Sequence, residues 1–163
     1  MDKTEQFTTA IKNNEGIIYK IASVYTNDVD DKHDLAQEII YQLWKSFDSF
    51  SNKSSLSTWI YRVAMNVAIY HLKSNKRKVP TVQLDESHFQ MKETVNNDFE
   101  EKLKVFKQQL VNLNLLDKGI VMLYLENKSY QEIAQIIGIS ESNVGTKISR
   151  IKEKLKNQIN KQS

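Results

Sequence analysis

The 163-residue chain contains no cysteine. That excludes a disulfide framework, a thiolate metal site and a cysteine nucleophile, and it fits a reducing compartment. Only four glycines and one proline are present, too few for the tight turns of an all-β protein, whereas the abundant Ile, Leu, Lys, Glu and Gln suit helices. An all-α chain is expected. No run of about twenty apolar residues could span a bilayer, and the polar start Met1-Asp2-Lys3-Thr4-Glu5 is unlike a signal peptide. A cytoplasmic protein without membrane insertion is expected. His33, His71 and His88 are scattered, no H-x-x-x-H or Walker pattern occurs, and nothing pairs a nucleophile with a base. No catalytic residue, metal ligand or cofactor is assigned.

The net charge is only +3, and its distribution says more than its size. Between Ser49 and Leu84 there is no Asp or Glu, while Lys53, Arg62, Lys73, Lys76, Arg77 and Lys78 all fall there. A mainly acidic stretch follows, with Asp85, Glu86, Glu93, Asp98, Glu100 and Glu101, and the balance turns basic again after Ser142. Two separate cationic surfaces follow from this alternation.

The most informative stretch is Ser129 to Arg150, which reads as helix, tight turn and second helix. Ser129 can cap the first helix, with Glu132 completing a capping box, and Ile133, Ala134 and Ile137 follow at helical spacing. Gly138 can take the left-handed conformation of a sharp helix end, and Ser140 or Ser142 can cap the next helix. There Val144, Ile148, Ile151 and Leu155 form an apolar seam. Asn143, Thr146, Lys147 and Arg150 lie on the other faces, polar or basic groups suited to base edges and phosphates. A merely structural helical corner is the competing reading; small Ala134, Gly138 and a second helix rich in hydroxyl, amide and cationic groups favour DNA binding.

Upstream, one helix-like pattern runs from Phe7 to Tyr25, loosened at Asn13 and Asn14. A second helix is expected from Asp31 or Lys32 to Phe47, with an aspartate cap and a wide apolar arc. Its other face aligns Asp34, Gln37, Glu38 and Tyr41 at i, i+3, i+4 and i+7, a docking stripe or simply a solvated face. A serine-rich loop then leads into a helix from Leu56 to about Lys73, with Trp59, Ile60, Val63, Ala64 and Val67 facing inward. Such a loop beside a cationic helix suits single-stranded DNA. From Thr81 to about Asn97 no period persists. Helices resume to Leu110 or Val111 and from Leu116 to Leu125, and the tail past Lys156 is expected to fray.

Three segments resemble the extracytoplasmic-function class of bacterial RNA polymerase sigma factors. Asp34-Leu35-Ala36-Gln37-Glu38 followed by Leu43-Trp44 is similar to the D-L-x-Q-E signature of region 2. Thr58-Trp59-Ile60-Tyr61-Arg62-Val63-Ala64-Met65-Asn66 is similar to its T-W-L-x-x-I-A-x-N segment. Ser129 to Ala134, with Gly138-Ile139-Ser140 and Val144, resembles the helix-turn-helix of region 4. The resemblance implies two small helical domains joined by a flexible linker: residues 1–78 as region 2, 79–97 as linker and 98–163 as region 4.

It also implies roles. Asp34, Gln37, Glu38 and Tyr41 become candidates for core polymerase, above all the β-prime clamp helices, with the β subunit a further partner. Asn52, Lys53, Ser54, Arg62 and Asn66 would meet the −10 element as melted single strand. Ser142, Asn143, Thr146, Lys147 and Arg150 would read the −35 element of promoter DNA as duplex. An anti-sigma factor is a candidate partner. The chain departs from the family pattern at Asn114, where proline is frequent, at Tyr70, where aspartate is frequent, and at Gly145, where a basic residue often sits. The rival functions are a conventional helix-turn-helix regulator that binds DNA without polymerase, an enzyme, and a pure adaptor.

Overall fold

The computed structural model describes residues 2–74 and 97–162, with the side chains of all but 74, 97–100 and 159–162. The chain divides into two compact units, Met1–Asn97 and Asp98–Ser163. Both are helical, and no strand occurs among the described residues. Lys76, Arg77, Lys78 and all but the last residue of the expected 79–97 linker lie outside the described residues.

The N-terminal unit holds α1 (Lys3–Asn13), α2 (Glu15–Tyr25), α3 (Val29–Ser46), a short 3-10 turn (Phe47–Ser49) and α4 (Leu56–Ser74). The single helix expected over Phe7–Tyr25 is therefore two. Asn14 ends the first, its backbone N–H on the Ile11 carbonyl, and Ile17 N–H bonds back to the Asn14 carbonyl to start the second. Asp28 caps α3 by accepting the Asp31 N–H at 2.8 Å, so the helix begins earlier than the apolar pattern suggests. The core gathers Phe7, Ile18, Ile21, Leu35, Ile39, Leu43, Ile60 and Met65. On α4 the buried face is Ile60, Tyr61, Ala64, Met65 and Ala68, whereas Trp59, Val63 and Val67 are only half-buried. The inward face is thus rotated from the one expected. α4 packs against both α2 and α3, and the side of the helix enclosed between them carries Tyr61, Met65 and Ala68 as well as Ile60 and Ala64.

Aromatic rings connect this core to the loop after α3. Phe7 meets Trp44 and Phe47 edge-on at 5.1 and 5.4 Å between centroids. Trp59 lies 6.2 Å from Phe47 and 5.1 Å from Phe50.

The C-terminal unit holds α5 (Asn97–Gln109), α6 (Leu115–Leu125), α7 (Tyr130–Ile137) and α8 (Glu141–Gln162). Asn114 caps α6 by accepting the Asp117 N–H at 2.8 Å, a bond that a proline at this position could not supply. Leu110, Leu113, Ile120, Val121, Leu123, Ile133, Val144, Ile148 and Ile151 are buried, joined by Met122 and Ile136. Ile136, not Ile137, is the inner residue of α7. Rather than fraying past Lys156, α8 continues to Gln162.

Candidate nucleic-acid interface

In the C-terminal unit each end of the turn is held by the side chain that its sequence supplies. Ser129 Oγ accepts the Glu132 N–H at 3.1 Å, and its own hydroxyl donates to Glu132 Oε1 at 3.2 Å. The box thus closes through the two side chains. Gly138 sits at φ 87°, ψ 33°, a left-handed position that favours glycine, with its N–H on the Ala134 carbonyl at 2.8 Å. Ser140, rather than Ser142, caps α8, accepting the Asn143 N–H at 3.1 Å.

These caps fix the face that α8 presents. Val144, Ile148 and Ile151 point into the core, leaving Ser142, Asn143, Thr146 and Arg150 exposed. Ser149 is exposed on the same side, one residue that the spacing argument passed over. Thr146 donates its hydroxyl proton to the Ser142 carbonyl at 3.0 Å, which leaves its oxygen able to accept. Lys147 differs from its neighbours. Its ammonium lies 3.9 Å from Asp117 Oδ1 on α6, an ion pair too long for a hydrogen bond. That oxygen is buried and accepts no hydrogen bond among the described residues. Lys147 therefore also serves as counter-charge to a half-buried carboxylate with one enclosed oxygen.

In the N-terminal unit Asn52 occupies the left-handed region at φ 59°, which asparagine tolerates better than most residues. Ser55 caps α4, its Oγ accepting the Thr58 N–H at 3.1 Å and donating to Thr58 Oγ1 at 2.9 Å. Asn52 and Lys53 are exposed and Ser54 half-buried, while Arg62 and Asn66 are exposed one turn apart on α4. Loop and helix thus offer amide, hydroxyl and cationic groups without a carboxylate of their own.

The third set is less uniform than its spacing implies. On α3, Asp34 is exposed, and Gln37 and Tyr41 are half-buried. Lys45 reaches over the Tyr41 ring at 5.4 Å. The Glu38 side chain is only 10% exposed, with Oε2 2.6 Å from His71 Nδ1 on α4. Glu38 thus ties two helices together beneath the stripe, a pairing that α3 periodicity could not disclose. Asp31 nearby has its pKa raised, chiefly by the charge of Asp28 and then by its hydrogen bond with Asp28, with Asp34 and Asp30 adding to the effect. No group of three or more His, Asp or Glu side chains able to hold a metal occurs among the described residues. No helix among them is long and apolar enough to cross a membrane.

Fold and surfaces define a two-part helical protein with a helix-turn-helix in one part and a basic loop-and-helix face in the other. The sigma-70 region 2 family model matches residues 10–78, and the sigma-70 region 4 model matches residues 107–155. The chain is 29% identical over 155 residues to the ECF RNA polymerase sigma-E factor of Escherichia coli K12, covering 86% of this chain and 81% of that protein. It is 28% identical to the Haemophilus influenzae sigma-E factor, with 86% and 82% covered. Two solved structures share the fold. CnrH in complex with the cytosolic domain of CnrY has a TM-score of 0.70 at 17% identity, over 99% of this chain and 92% of that one. The sigma factor RpoE of Bartonella quintana, in complex with the anti-sigma factor NepR, has a TM-score of 0.67 at 20% identity, over 96% and 98%. The chain belongs to the extracytoplasmic-function class of RNA polymerase sigma factors. It binds core RNA polymerase and promoter DNA and directs promoter-specific transcription initiation.

Proposed function

We propose that the two units divide promoter recognition between a melted strand and a duplex. Residues 1–78 would act as the region 2 domain, 98–163 as the region 4 domain, and 79–97 as the link between them. Asn52, Lys53, Ser54, Arg62 and Asn66 contact the −10 element as single strand, where amides and hydroxyls reach base edges and cations meet phosphate. Ser142, Asn143, Thr146, Lys147 and Arg150 contact the −35 duplex in its major groove. Asp34, Gln37 and Tyr41 form the surface offered to the β-prime clamp helices, with Glu38 holding α3 to α4 behind it.

The observation that carries this reading is the exposed polar face of α8, held outward by caps at Ser129, Gly138 and Ser140. No covalent step is required. Capturing unstacked bases favours melting, and tethering through polymerase makes the second promoter contact effectively intramolecular. The protein on this reading is a non-enzymatic cytoplasmic factor. An anti-sigma partner is part of the same reading, supported by the partner-bound state of the two solved relatives. Mixing the protein with bacterial core polymerase should yield transcripts from defined start sites on promoter templates. Transcription that stays unchanged by its addition would overturn the reading, and promoter binding of full strength without polymerase would favour a conventional regulator.

A further inference from the structure

We infer that Tyr130, outside the recognition helix, is a specificity-determining residue that reads a thymine methyl group in the −35 duplex from its seat on Gly145. The inference rests on the assignment of α8 as the duplex-facing helix. Gly145 lies inside α8, where glycine weakens a helix relative to alanine. Its backbone is not the reason, because Gly138 alone among the described glycines has positive φ. Nor would steric exclusion forbid alanine: an added Cβ would stand 3.5 Å from Tyr130 Cε2 and 3.8 Å from Cδ2, an ordinary contact. One edge of the Tyr130 ring instead occupies the space beside position 145 into which a side chain longer than alanine would extend.

The ring is well placed to reach bases. Tyr130 is the first residue of α7, and the residue remains 42% exposed although large and aromatic. Gly145 shares a helix side with Ser142, three residues before, and Ser149, four residues after, both exposed. The ring therefore borders the polar ridge of α8 at the place where other side chains would project. An aromatic edge has no hydrogen-bonding pattern to match against guanine or cytosine. What it can match in a major groove is the thymine C5-methyl, the one apolar group displayed there. A glycine that removes a potential cation thus exchanges charge-based contact for apolar contact.

The test uses holoenzyme reconstituted from the full chain and bacterial core polymerase. A preferred −35 sequence is selected from a randomised promoter pool, and each thymine is then replaced singly by deoxyuridine, which deletes one methyl and keeps base pairing. Wild type should lose about four-fold in affinity at one thymine, the equilibrium equivalent of one buried methyl-sized group. Tyr130→Ala should bind thymine and deoxyuridine equally at that position, while Tyr130→Phe and Gly145→Ala keep the preference. Gly145→Gln, whose longer side chain competes for the seat of the ring, should lose it and serves as the second variant if Tyr130→Ala does not fold. Thymine preference undiminished in Tyr130→Ala would overturn the inference. So would a wild type indifferent to every methyl, or an equal, base-independent loss in both Tyr130 variants, which would mark a hydroxyl contact to phosphate. Failure of the selection to return any −35 sequence would instead overturn the duplex-reading role of α8 itself.

Discussion

In the N-terminal unit the polar loop is reached through Phe50, whose ring lies 5.1 Å from Trp59, and that contact continues through Phe47 and Phe7 into the core. In the C-terminal unit α8 is laid on aliphatic residues, Ile120, Leu123, Ile133 and Ile136, and its direction is set by capping hydrogen bonds at the turn. The difference matches the two proposed ligands. A melted strand has many shapes, and a loop anchored by broad rings can offer its groups without being rigid at every residue. A duplex groove varies far less in shape than a melted strand, and a helix whose direction is fixed by its caps suits it. The same contrast appears in the charges. The loop and outer face around Asn52 to Asn66 contain no acid, whereas Lys147 on α8 is already shared with Asp117.

Two different binding surfaces call for two cores that each fold on their own. Ile133→Ala removes a fully buried side chain and should destabilise the C-terminal unit by about 2–5 kcal/mol. Denaturant unfolding should then show the C-terminal transition shifted and the N-terminal one unmoved; a common shift would show that the two cores unfold together.

Arg150→Ala should weaken −35-dependent promoter binding by about 1–3 kcal/mol while leaving binding to a single-stranded −10 oligonucleotide unchanged. Equal loss on both probes would dissolve the proposed division of labour. Lys147→Ala sharpens the same point, because it leaves the enclosed Asp117 oxygen without its counter-charge. A fall in thermal stability of the C-terminal unit should accompany its loss of DNA affinity, on the order of 1 kcal/mol for a partly exposed pair. Arg150→Ala should show no such fall.

Phe50→Ala tests the aromatic anchor from the other side. Loss of its contact with Trp59 should cost about 0.5–1.5 kcal/mol of pair energy and lower single-strand affinity with no change at −35, read by titration of each DNA probe. The smallest effect is expected at Asp31, whose raised pKa reflects like charge. A folded-state pKa above the unfolded value means that protonation favours the fold. Asp31→Asn should therefore raise the melting temperature slightly at neutral pH, and the gain should vanish as pH falls through the folded pKa and the wild-type carboxylate is protonated.

Much of the helix-turn-helix was legible because its signals are local. Ser129, Gly138 and Ser140 act on backbone groups within a few residues, so the order of residue types is enough to place both helices. Asp28 as the cap of α3 was harder to see, since three further acids follow it within six residues and each could cap. Helix α4 resisted for another reason. Nearly every position from Trp59 to Ile69 except Arg62 and Asn66 is apolar or aromatic, so the pattern does not identify one inward stripe. Packing against α2 and α3 buried Tyr61, Met65 and Ala68 and left Trp59 half-exposed to meet Phe50.

Residue order alone was enough for the helical class, for the helix-turn-helix with its Ser129 cap and Gly138 turn, for the acid-free basic stretch and for the face that α8 shows to solvent. Each depends on interactions within a helical turn or two, which residue order specifies directly. Tertiary structure alone decided the partners across helices: Glu38 with His71, Lys147 with Asp117, Phe50 with Trp59, and Tyr130 with Gly145. Those pairs join positions 9 to 33 residues apart, brought together only when hydrophobic burial fixes the angle and rotation of each helix against its neighbours, a sum over many side chains that no local pattern contains.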